Sequence, residues 1–138
     1  MSVYGEIRAS LESHVGNVPG IPGPAHRAWQ NVRFEPTTGT SWVRITFQPT
    51  RRRPQDVTAN GLQRNDGLFL IDVFTPEGNG PSPAETLADS VVDTFESGTN
   101  LQSNGVTTLI EYAEIDRAPN QDSPWFQVSV TVKWKSFN

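Results

Sequence analysis

The sequence contains no cysteine among its 138 residues and only two histidines. Disulfides, thiolate metal ligands and cysteine nucleophiles are therefore excluded. Neither His14 nor His26 has a second histidine at the spacing of a metal site, so both are predicted to be surface residues. Because no GxSxG elbow is present either, we predict no catalytic residues, no cofactor-binding residues, no metal site and no enzymatic activity.

Long apolar runs are also missing. No stretch approaches the ~18 residues that a membrane span requires, and the N-terminal segment MSVYGEIRASLE has no secretory hydrophobic region. We therefore expect a protein that is made in the cytoplasm and has no membrane partner. The length of 138 residues suits a single domain over residues 1–138.

Positive charge is scarce overall, with a net charge of −4 and a pI of about 5.1, but it is unevenly placed. Residues 27–64 contain seven arginines and two acidic residues, whereas residues 65–122 contain eleven acidic residues and one arginine. A nucleic-acid-binding domain usually has a pI above ~9. Two interpretations remain: ordinary solvated faces, or contacts in which copies of the chain, or neighbouring proteins, meet positive to negative.

Hydrophobic periodicity predicts two helices. Residues 2–15 have apolar residues every fourth position, with Ser2 as the N-terminal cap. A second helix begins near Ser82, where Ser82, Pro83 and Glu85 match a capping box, and it ends before Gly98.

Five segments show the alternation or apolar content of strands: 28–34, 42–48, 67–74, 106–115 and 126–134. In the last, Val128, Val130 and Val132 are predicted to face the core. Glu111, Glu114 and Asp116 are interpreted as an exposed acidic strand edge rather than a metal site. The predicted fold is a single α+β domain of order α-β-β-β-α-β-β, with a mostly antiparallel, mixed sheet of about five strands and two covering helices.

An arginine triplet is the most unusual feature of the chain. Pro49 and Pro54 flank Arg51, Arg52 and Arg53, and the segment continues to Arg64 and an NDG turn signal. We predict a long hairpin with the triplet at its tip. The four arginines at positions 51, 52, 53 and 64 are the candidate interaction residues, with a plain solvated loop as the alternative.

Three blocks carry a resemblance to a known family: NVRFEPTTGTSWVRITFQP, GLFLIDVFTPEGNGPSPAETLADSVVDTF and GTNLQSNGVTTLI. The first contains an F-x-P-T-x-G-x-x-x-x-R-x-x-F pattern, and the second a G-L-x-x-x-D-V-F pattern followed by a Gly/Pro turn and a helix. In these blocks and in its order of elements the chain resembles the tail terminator-like proteins of tailed bacteriophages and prophages.

The resemblance implies a structural virion protein. Members of that family cap the head-proximal end of a tail tube as a ring, usually of six copies, and so stop polymerisation of the tube protein. They also offer a docking surface to head and neck connector proteins. The implied partners are further copies of the chain, the tube protein and the connectors, with DNA passing through the lumen. The implied location is the tail and neck of a virion assembled in the host cytoplasm.

The sequence is also compatible with other functions. The chain is also compatible with another neck component, either a head-completion or a stopper protein. An enzyme would require a cluster of histidine, aspartate and glutamate side chains in the fold, and a ligand-binding domain would be monomeric.

Overall fold

The computed structural model describes residues 2–54, 63–115, 120–122 and 124–137 of the chain. Two helices accompany seven strands in these residues. The helices are α1, Val3–Val15, and α2, Ser82–Thr94, with a short 3-10 turn at Pro24–His26. The strands are β1, Arg27–Ala28; β2, Trp42–Pro54; β3, Gln63–Pro76; β4, Asn100–Ser103; β5, Val106–Ile115; β6, Asn120–Asp122; and β7, Trp125–Phe137.

All the strands form one sheet in the order β1-β2-β3-β7-β5-β4, and β6 pairs with the start of β7. Only the short β1–β2 pair is parallel, and the other pairs described are antiparallel. The predicted α+β class with a mostly antiparallel, mixed sheet is therefore confirmed. Two short strands, β4 and β6, were not predicted, so the sheet has more strands than expected.

Both helices cover the same face of the sheet. The buried side of α1, with Ile7 and Leu11, and that of α2, with Ala88 and Val91, pack in one core with the sheet. Every second residue of β7 from Val128 to Trp134 points into this core. The predicted inward face of the last strand is confirmed.

The helix ends match the predictions only in part. The Ser2 hydroxyl accepts a hydrogen bond from the Gly5 N–H at 3.1 Å, which confirms Ser2 as the cap of α1. The capping box of α2 is wrong, because the helix starts earlier and Pro81 occupies the cap position without a side-chain bond. The Pro81 carbonyl accepts from the Glu85 N–H instead, at 3.0 Å.

The region before β2 also differs from the prediction. The expected strand over residues 28–34 is reduced to Arg27–Ala28. Asn31 adopts a positive φ of 59°, which a continuous strand does not allow. The side-chain carbonyl of Gln30 instead accepts a hydrogen bond from the Phe47 N–H at 2.8 Å, so a side chain satisfies the edge of β2 where a strand was expected.

His14 is not a plain surface residue as predicted. It is half-buried between the helices, where its Nε2 lies 2.8 Å from the Thr94 carbonyl oxygen. Its ring also meets the Phe95 ring edge-on at 4.8 Å. The residue therefore ties the end of α1 to the end of α2.

The two sequence patterns of the resemblance meet on the sheet face opposite the helices. Arg44 of the first pattern forms an ion pair with buried Asp72 of the second, at 3.0 Å, and its guanidinium lies over the Phe74 ring. Trp42 stacks on Phe74 with ring centroids 4.0 Å apart, and Phe34 packs against Trp42. The residues of the two patterns therefore serve to pack β2 against β3, and the contacts give no indication of a catalytic role.

Gly67, which opens the second pattern, is required by a close approach. A β-carbon there would lie 2.3 Å from the Trp134 ring and 2.7 Å from the Gln48 carbonyl oxygen. The Trp134 indole in turn stacks on Phe47 with centroids 5.4 Å apart. The absence of a side chain at Gly67 thus lets the Trp134 ring lie directly over the backbone of β3, close to the arginine segment.

Candidate functional site

The arginine triplet lies on a strand and not at the tip of a loop. β2 continues through Pro54, and Arg51, Arg52 and Arg53 pair with Asp66, Asn65 and Arg64 of β3. The predicted loop position is therefore wrong, and the connecting residues 55–62 lie outside the described part of the chain. Both prolines fit in β2 because it is an edge strand here, where a missing N–H costs no sheet hydrogen bond.

Two irregularities of the sheet bring charged side chains together. The register of β2 against β3 shifts between Pro49 and Arg51, and that of β5 against β7 shifts between Ile110 and Tyr112. An extra residue in a strand re-aims the side chains that follow it. The first shift places Arg51 across from Asp66, and the second inserts Glu111 beside β7.

The result is a cleft of about 340 Å³ on the sheet face opposite the helices. We call it the charged cleft. It is lined by Thr50, Arg51, Arg53, Arg64, Asp66, Glu111 and Lys133. Lys135 adjoins the same group through Glu111. Because side chains alternate along a strand, Arg51 and Arg53 share this face and Arg52 does not.

Ion pairs hold the floor of the charged cleft. Arg64 contacts the Asp66 carboxylate through both Nε and Nη2 at 2.9–3.1 Å, and Lys133 Nζ lies 3.3 Å from the same group. Glu111 is shared by Arg64 at 3.4 Å, Lys133 at 3.6 Å and Lys135 at 3.4 Å. Paired, partly buried groups of this kind are fixed in place before any partner arrives.

The charge of the cleft is not balanced. Arg51, Arg53, Arg64, Lys133 and Lys135 are five cations around two carboxylates. Arg51 and Arg53 are exposed, and neither forms an ion pair with a residue that the structure describes. The cleft can therefore accept carboxylates or other anions from outside the chain.

The Asp66 carboxyl is held ionised. Its burial raises the pKa, but the hydrogen bonds and charges of Arg64 and Lys133 outweigh the burial and lower the pKa below its usual range. The pKa of Arg64 is raised by its hydrogen bond to Asp66, against a smaller effect of desolvation. The two shifts favour the charged pair over its neutral form.

Replacing Asp66 by Asn should reduce stability near neutral pH and much less in acid. The pKa of Asp66 is lower in the folded chain, so its contribution is present above the unfolded pKa and disappears as the pH falls through the folded pKa. Urea unfolding of both proteins at about pH 7 and at about pH 2.5 should show the difference shrinking towards acid. Asp89→Asn, on the exposed side of α2, controls for the loss of a surface charge. A difference of equal size at both pH values would contradict the role of the ion pair.

Of the four candidate interaction residues, the structure brings together Arg51, Arg53 and Arg64 and places Arg52 on the other face of β2. Sequence reasoning missed Asp66, Glu111 and the two lysines as members of the group. The interpretation of Glu111 as part of an exposed acidic edge is wrong, because it is half-buried and ion-paired; Asp116 of that cluster lies outside the described residues. The outward alternation of Lys133 and Lys135 on β7 was the signal that could have found the lysines.

Within the described residues, no group of three histidine, cysteine or acidic side chains is placed to hold a metal ion. None of the described helices combines the length and apolarity that crossing a bilayer would take.

Comparison with known proteins identifies the family. The family model described as phage tail terminator protein matches residues 6–134, which is nearly the whole chain. The chain belongs to the phage tail terminator family. It is thus a structural protein of phage tail completion, located in the virion tail and in contact with other tail or virion proteins. No curated protein matches the chain.

A solved structure supports the fold. It superposes on 94% of this chain and 92% of its own with a TM-score of 0.68, at 22% sequence identity. At that identity the likeness concerns the arrangement of helices and strands alone.

Proposed function

We propose that the tail terminator described above acts as a ring of about six copies at the head-proximal end of the tail tube. In that position it stops the addition of tube protein and presents a docking surface to head or neck connector proteins. The observation that carries the proposal is the family match over residues 6–134. The match covers most of α1, all of α2 and almost the entire sheet, which supports assigning the family role to the domain as a whole.

The charged cleft supports a role in protein contacts. Two carboxylates hold three of its five cations, Arg64, Lys133 and Lys135. Arg51 and Arg53 at the rim form no ion pair with any residue that the structure describes. Complementary charges of this kind orient two protein surfaces and raise their association rate. The resident partners of such a surface in a tail are neighbouring copies, the tube protein or a connector.

Electron microscopy of particles tests the proposal. In a phage or prophage that lacks its own copy of the gene, we expect headless particles and tubes of uncontrolled length, and plasmid-borne protein should restore joined particles of uniform tail length. Imaging of the restored tails should show a closed ring of the protein at the head-proximal end. Particles that lack the protein could instead have tails of normal length and a defect only in their filled heads. That result would indicate a head-completion or stopper protein.

A further inference from the structure

The exposed side of α2 carries unbalanced negative charge. Glu85, Asp89 and Asp93 follow at intervals of four residues, and Glu96 comes two residues after the end of the helix. All four are exposed, and none forms an ion pair with a residue that the structure describes. We call these residues the acidic stripe.

Nothing within α2 compensates for the acidic stripe. The helix Ser82–Thr94 contains no lysine or arginine, so no basic partner stands three or four residues away. Asp93 also lies in the last turn, where the helix dipole disfavours a negative side chain. Glu85 in the first turn is favoured by the dipole, but the like-charge spacings of four residues and the position of Asp93 are unfavourable for the isolated helix. A cationic partner outside the helix would relieve both.

The acidic stripe and the charged cleft lie on opposite sides of the chain. The buried side of α2 packs on the sheet face that contains Phe69 and Val132, so its exposed side points away from the sheet. The cleft opens on the other face, beside Asp66 and Lys133. The two cannot meet within one chain, but they can meet when copies associate head to tail.

We propose that the charged cleft of one copy binds the acidic stripe of the next copy, with Arg51 and Arg53 facing Asp89 and Asp93. This contact deepens the proposed ring, and it rests on that proposed function. A head-to-tail contact uses two different surfaces of each chain, which is the arrangement from which closed rings are built.

The spacings of the two charge pairs agree. Residues four apart on a helix rise by about 6 Å along its axis, and residues two apart on a strand are separated by about 6.7 Å. Asp89 and Asp93 therefore present carboxylates at nearly the distance at which Arg51 and Arg53 present guanidinium groups. Each arginine can donate two hydrogen bonds to one carboxylate, which fixes the register of the contact.

Charge exchange in the phage tests the contact. Arg51→Glu with Arg53→Glu places like charges in the contact, and so does Asp89→Arg with Asp93→Arg. Each double variant should lower the phage titre by at least about a hundredfold in a host that supplies the only copy of the gene, because like charges at an interface are strongly unfavourable. The four changes combined restore opposite charges and should return the titre to within about tenfold of the parent.

Arg52→Glu is the matched control, because this arginine lies on the other face of the same strand and does not line the cleft. It should leave the titre unchanged. Thermal melting of each purified variant checks that the substitutions at exposed positions leave the fold intact. The proposal is overturned if the combined variant does not restore the titre although all the variants fold. It is also overturned if only the arginine variant loses titre, since the cleft would then bind a different partner.

Cross-linking tests the same contact without relying on titre. The chain has no cysteine, so Thr50→Cys at the cleft and Thr86→Cys beside the acidic stripe introduce the only thiols. In purified tails that carry both changes, a short bis-maleimide should link adjacent copies into a ladder that ends at the number of copies in the ring. Either change alone should give no ladder.

The two proposals fail in different ways. A ring seen by microscopy without a ladder would overturn the contact and leave the ring function intact. Tails that contain no ring of the protein would overturn the proposed function itself.

Discussion

Reversal of Arg51, Arg52 and Arg53 together to glutamate is expected to give a folded protein that no longer completes tails. The three side chains are exposed, and substitutions at exposed positions usually change stability by no more than about 0.5 kcal/mol. A glutamate at position 51 would face Asp66 across the strand pair at a cost of less than about 1 kcal/mol, whereas a glutamate at position 53 would face Arg64 favourably. A normal melting curve together with headless particles or overlong tubes in micrographs is the expected result.

The triple reversal also separates a protein contact from a DNA contact. If the arginines touched DNA in the lumen, heads and tails would still join, but genome passage would be impaired. The purified wild type would then bind DNA with an affinity that falls steeply with salt, and the variant would not. The net charge of −4 opposes DNA binding by the free protein, so the protein contact is expected. Normal tails with normal infectivity would show that the arginines are only solvated side chains.

Most of the fold could be predicted from local patterns, because single elements carry their own signals. The alternation from Val128 to Trp134 predicted the inward face of β7, since that strand has one side under both helices. The apolar residues at every fourth position of α1 predicted its buried side equally well. The β4–β5 hairpin was missed although the sequence contains its signal, the dipeptide Asn104-Gly105. In the structure both residues have positive φ, as a two-residue hairpin turn of this kind requires.

The charged cleft could not be predicted in the same way. Its members come from four strands, β2, β3, β5 and β7, and their meeting depends on the register of each pair. The shift between Ile110 and Tyr112 falls where the sequence has no glycine or proline, so the strand pattern gives no sign of it. The other shift follows Pro49, which was interpreted as the end of the strand, although a proline also fits a bulge in an edge strand. The arginine triplet drew attention to the right segment, but only the alternation of a strand separates Arg52 from its two neighbours.

Replacing Val130 by Asp is expected to prevent folding or to lower the melting temperature by more than about 10 °C, since about 3 °C is lost per kcal/mol in a chain of this size. Val130 is completely buried in β7, between Ile71 of β3 and Ile115 of β5. A carboxylate there has no partner, and an unpaired buried charge costs several kcal/mol. Small domains have only about 5–15 kcal/mol of stability in total.

Val32→Asp is the matched control for this change, because the same substitution is made at a valine that is 60% exposed. Its free energy of unfolding, from thermal melts followed by circular dichroism, should stay within about 0.5 kcal/mol of that of the parent. If Val130→Asp melted like the parent, β7 would have to be shifted by one residue. Such a shift would turn Val130 outwards and Lys133 into the core, and it would take the lysine out of the charged cleft. The stability experiment therefore tests both the core and the placement of the proposed contact surface.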